Sequence, residues 1–239
     1  MNDIETQIEI QQDNLIKLHD HVKALLMDIF KLKDMYPMDF LCIAVCTRCF
    51  SNIAAFQVLF KEQNLLAFSA IVRLQLDTLL RLFSIWICKN KQELAKKIAL
   101  ESTELRKLPW VLENGKKHSL TDTFLCEQLE KVEKIDWVVK VYKQTSGFIH
   151  PSANHFFASL THKEEQRDGT IYLKLHIDTF GQMPHNQQYY LDTISCFNHI
   201  TSLICKYLIG WRETKKLLCK NAENKQIISS SFNQPKEAL

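Results

Sequence analysis

Ser69, Arg73, Asp77 and Arg81 recur every four residues within 65–88, LLAFSAIVRLQLDTLLRLFSIWIC, a stretch that is otherwise almost wholly apolar. In a helix this spacing places all four on one narrow stripe. Guanidinium and carboxylate groups are rarely buried without a partner, so the stripe requires counter-charges, water or a ligand. An Arg73–Asp77 pair would partly neutralise itself and leave Arg81 seeking a carbonyl, a carboxylate or a ligand anion. A second polar stripe, Tyr142, Ser146 and His150, has the same spacing in IDWVVKVYKQTSGFIH and ends at Pro151. A histidine at a helix C-terminus is favoured in its protonated form. Placed face to face, the two stripes would form an anion site. His150 could then act as general acid or base in phosphodiester cleavage, with Ser152 and Asn154 adding hydrogen bonds. The plainer alternative is a buried polar network that locks helix register.

Long helices are needed to position these residues. Only 5 Gly and 5 Pro interrupt 239 residues, and the apolar fraction of 46% suffices for a packed core. The predicted fold is mainly α: a single-domain bundle of about six to seven helices over residues 1–222, with a small hairpin at about 154–178. Helices are expected at 2–36, 38–62, 65–88, about 91–104, 123–134, 135–150 and about 186–220. Leu15, Leu18, Val22, Leu25, Ile29 and Leu32 form a heptad seam in the first helix. That seam packs either along the bundle or against a second copy, giving a homodimer. Strands are expected at 154–161 and 170–178, where Ile171, Leu173, Leu175 and Ile177 alternate with polar residues. Residues 223–239 are polar and read as a disordered tail.

Other chemistry has little support. The eight Cys lie mostly in apolar helical runs and read as reduced core thiols. Cys46 and Cys49 form a C-x-x-C, but no second pair and no strand–turn context accompany it. Cys196 and His199 share a face without a credible ligand set. No metal and no cofactor are expected. No Walker loop, G-x-G-x-x-G, G-x-S-x-G or H-E-x-x-H occurs. Net charge is +3, too small to argue for nucleic acid alone. Between Lys89 and His118, eight Lys or Arg stand against four Glu, which suggests a solvated surface or a phosphate contact. The acidic start MNDIETQIEIQQDN is unlike a secretory signal, and charges interrupt the best apolar run, so a cytoplasmic location with no membrane span is expected.

Arg73 and Asp77 in a central helix, followed by Tyr142, Ser146, His150, Pro151 and Ser152 and then a hairpin, resemble a bacterial helical family of unknown function. The layout of that family is related to the HEPN (higher eukaryotes and prokaryotes nucleotide-binding) proteins. The similarity covers roughly residues 40–210. It implies an α-helical bundle, often dimeric. It also implies a defence or stress role in toxin–antitoxin or antiphage systems, with an antitoxin or defence partner. Many HEPN proteins are ribonucleases whose signature is Arg, a short spacer and His on one helix. Here no Arg stands at that spacing before His150, so the guanidinium would come from Arg73 or Arg81 on the neighbouring helix.

Two functions follow. One is a HEPN-like, metal-independent ribonuclease or nucleotide-binding protein. In it Arg73 and Arg81 hold phosphate, Asp77 orients Arg73, and His150 transfers protons beside Tyr142 or Ser146. The other is a non-enzymatic interaction or sensor module whose polar stripe is structural or binds a small anion.

Overall fold

The computed structural model describes residues 3–101, 108–149, 152, 155, 160–165, 171–175 and 187–232. Among them are seven helices and two small antiparallel hairpins, the mainly α bundle expected from the breaker count. The helices are α1 (Asp3–Phe30), α2 (Pro37–Lys61), α3 (Leu65–Ile87), α4 (Lys91–Leu100), α5 (Asp122–Glu133), α6 (Val138–Ile149) and α7 (Gln187–Phe232). The strands are β1 (Pro109–Val111), β2 (Lys117–Ser119), β3 (Leu160–Glu165) and β4 (Ile171–Leu175).

Local chemistry sets the helix ends. Proline suits the first position of a helix and forces its predecessor out of the helical region. Pro37 accordingly opens α2, and Tyr36 is extended at φ −116°, ψ 155°. The first helix ends at Phe30, short of the expected Tyr36, because the chain must turn before α2. Asn64 caps α3 by accepting from the Ala67 amide at 3.2 Å. Thr121 caps α5, its Oγ1 accepting from the Phe124 amide at 3.3 Å. Composition marks a tail from residue 223, yet α7 continues to Phe232; residues 233–239 lie outside those described.

α3 is the central helix. It packs against α2, α4, α5, α6 and α7, and α1 lies along α7 and α2. The α1 seam residues Leu15, Val22, Leu25 and Ile29 are buried within the chain. A homodimer through α1 would therefore have to use its outer face, where Ile10, Ile16 and Met27 are exposed. Phe56, Phe60, Phe68 and Phe197 form the aromatic centre, with the Phe56 and Phe197 ring centroids 4.3 Å apart. α2 is the one described helix long and apolar enough to cross a membrane. Its Met38, Leu41, Cys42, Val45, Cys46, Cys49, Ile53 and Phe56 are all buried in this core.

One of the two hairpins departs from the sequence expectation. β1 and β2 pair Trp110 with His118, between the helices expected at about 91–104 and 123–134, where the sequence predicts no strand. Their turn contains Gly115 at φ 83°, a left-handed conformation that favours glycine. The pair is held on the end of α3, where the Lys89 amide donates to Val111 O at 3.0 Å and the Glu113 amide to Ile87 O at 2.9 Å. β3 and β4 form the expected later hairpin. Glu165 pairs with Ile171, so β3 runs to Glu165, beyond the expected strand end at residue 161.

Three polar links join the helices, two of them inside the core. Gln75 on α3 accepts from Asn52 on α2 and donates to Thr201 on α7, both at 3.0 Å. Glu133 on α5 accepts from Lys206 and Tyr207 on α7. Asp39 at the start of α2 meets Lys215 of α7 at 2.9 Å, with both side chains 0% exposed. Asp39 also accepts from Trp211 Nε1 at 2.8 Å and from the Tyr36 amide at 2.8 Å. Lys215 Nζ also donates to Ile29 O at 3.0 Å, which fixes the end of α1. Removing one member of such a pair leaves an uncompensated buried charge. Lys215→Met is thus expected to lower unfolding free energy by about 3–5 kcal/mol, measured by chemical denaturation. A loss below about 1 kcal/mol would show that the pair is not buried as described.

Candidate functional site

The two stripes do meet. α3 and α6 pack together, and the Arg73 guanidinium carbon lies 4.0 Å from the Tyr142 ring centroid, a cation–π contact. The i, i+4 pair also forms, with Arg73 Nη1 donating to Asp77 Oδ1. The other nitrogen, Arg73 Nη2, reaches Asp122 Oδ2 at 3.5 Å.

Asp122 also supplies the acceptor that Arg81 requires. Arg81 Nη2 donates to Asp122 Oδ1, and Nη1 donates to Leu120 O at 3.3 Å. One carboxylate thus serves both arginines. It stands at the first position of α5, where the helix dipole also favours a negative charge. The Arg73 and Asp122 side chains are 9% and 5% exposed, whereas Arg81 and Asp77 retain 20% and 19%. Arg73 is therefore enclosed, and Arg81 and Asp77 form the edge nearer solvent. Two guanidiniums and two carboxylates leave the quartet balanced in formal charge.

The remaining expected residues divide among other places. Ser69 pairs with the Tyr189 hydroxyl at 3.3 Å rather than joining the quartet. Ser146 donates to Tyr142 O at 2.6 Å, back along its own helix. Ser152 donates through its hydroxyl to Gly147 O at 2.5 Å, and its amide donates to His155 Nδ1 at 3.3 Å, so it closes the end of α6. His150, Pro151 and Asn154 lie outside the described residues.

The polar stripes alone do not point to Asp122. A usable signal existed: an acid in the first turn of an amphipathic helix, between Leu120 and Leu125, both buried. Among the described residues no group of three or more His, Cys, Asp and Glu could hold a metal. Cys46 and Cys49 are buried, and burial is the leading cause raising their thiols to about 12 and about 11. Thiolate chemistry at neutral pH is correspondingly suppressed. The basic stretch is partly paired, Lys91 with Glu113 and Lys96 and Lys97 with Glu101.

Three outcomes follow. Asp122→Asn removes the charge that both arginines share and should cost about 3 kcal/mol of stability. Tyr142→Phe, which keeps the ring, should change stability by less than about 1 kcal/mol. Equal losses in the two variants would contradict the assigned roles. With the native protein at pH 8, a thiol reagent should modify Cys46 and Cys49 only after unfolding. Comparison with protein-family models, curated proteins and solved structures finds no match to this chain.

Proposed function

We propose that this chain is a non-enzymatic helical interaction or sensor module in which the Arg73–Asp77–Asp122–Arg81 quartet joins α3 to α5 and α6. The observation that carries this reading is the double use of Asp122. Both guanidiniums are engaged by carboxylates, and the quartet presents no net positive charge to attract a phosphate. Ser146, with its proton donated to a helix carbonyl, is poorly placed as a nucleophile.

The ribonuclease reading keeps one observation in its favour, the meeting of Arg73 with Tyr142 across the α3–α6 contact. There the more exposed Arg81 would hold phosphate and His150 would transfer the proton, in a cytoplasmic defence protein with an antitoxin partner.

The two readings separate in one assay. Labelled single-stranded RNA incubated with purified protein in chelator-containing buffer should remain intact. Cleavage by the unaltered chain that disappears in both His150→Ala and Arg81→Gln, with both variants folded, would reverse the assignment.

A further inference from the structure

A cavity of about 540 Å³ lies between α3, α6 and α7, beside the quartet but lined by other residues. Its volume falls in the range of small-molecule pockets. Leu65, Val72, Val141, Phe148, Trp137 and Cys196 supply apolar or soft walls. Burial raises the Cys196 thiol to about 12, so this wall presents a neutral S–H.

The two threonine hydroxyls in the lining are already committed as donors. Thr145 donates to Val141 O and Thr193 to Tyr189 O, each at 2.7 Å. Ser69 and Tyr189 share a hydrogen bond at 3.3 Å. Protons used in this way leave oxygen lone pairs as the polar feature that Thr145 and Thr193 can offer an occupant. The exposed side of the lining carries Lys140 and Gln144 on α6 and Asp192 on α7. Asp192 accepts from Gln188 at 2.7 Å. One cation and one anion give no net preference for a charged ligand.

We infer that this cavity binds a neutral, mainly apolar ring compound carrying a hydrogen-bond donor. The inference rests on the sensor reading only in naming what is sensed. RNA cleavage tests that reading, and occupancy of the cavity tests this one.

The probe is N-phenyl-1-naphthylamine, a neutral aromatic amine whose fluorescence rises in apolar surroundings. Saturable binding to the full chain is expected, with energy transfer from tryptophan that weakens in Trp137→Phe. Filling the cavity from either side, by Val141→Phe on α6 or Cys196→Phe on α7, should weaken binding about tenfold or more, equivalent to about 1.4 kcal/mol. Folding of each variant is checked by circular dichroism, and either folded variant suffices. Lys140→Ala should leave affinity within about threefold. Unchanged binding in a folded filling variant would overturn the inference. So would tighter binding of the anionic analogue 1-anilinonaphthalene-8-sulfonate that is lost in Lys140→Ala, because the ligand class would then be anionic.

Discussion

Arg73 cannot enter a protein interior without a counter-charge, and α3 carries it there. An isolated buried guanidinium would cost far more than a single mutation usually does. Asp77 alone lies on the same helix and cannot tie that helix to anything else. Asp122 can, because it belongs to α5. The start of α5 is therefore held against α3, with Leu120 and Leu125 buried on either side of the acid. Tyr142 covers the same guanidinium from α6. One buried cation thereby sets the mutual positions of three helices.

The other polar links act similarly elsewhere in the bundle. Hydrophobic burial dominates the driving force but has no direction. Gln75 aligns α3 with α2 and α7 through paired amide and hydroxyl contacts. Lys215 and Asp39 align α7 with α2, and the Ile29 carbonyl brings in the end of α1. Sliding any one helix by a turn would leave these groups unpaired in a dry environment, which costs about 1–3 kcal/mol for each neutral group and more for charges. The apolar surface supplies the stability, and these few polar groups distinguish one register from its neighbours.

The helices were readable because their signals are local and repeated. The α1 seam, Pro37 after Tyr36, and the Thr121 cap each follow from a few adjacent residues. The β1–β2 hairpin was not readable, since three-residue strands are too short to show a period of two. The meeting of the stripes on α3 and α6 could be inferred from burial alone, because each polar run had to face something. Its completion by Asp122 could not: the acid is 41 residues from Arg81 and looks like an ordinary helix start. Lys215 was hidden for the same reason. Within the lysine-rich stretch RETKKLLCK, nothing local marks it as the fully buried member.

α6 carries two different faces, and this connects the quartet to the cavity. Tyr142 faces the Arg73 guanidinium, whereas Val141, Thr145 and Phe148 line the cavity. α3 is divided in the same way, with Ser69 and Val72 on the cavity and Arg73 on Asp122. The α3–α6 gap is therefore common to both features. An occupant of the cavity, bound as inferred above, would lie against the same two helices that the Arg73–Tyr142 contact joins. A ligand can shift an equilibrium only by its differential affinity for two states. The stack of Arg73 on Tyr142, worth about 0.5–2 kcal/mol, is small enough for a single cavity occupant to rebalance.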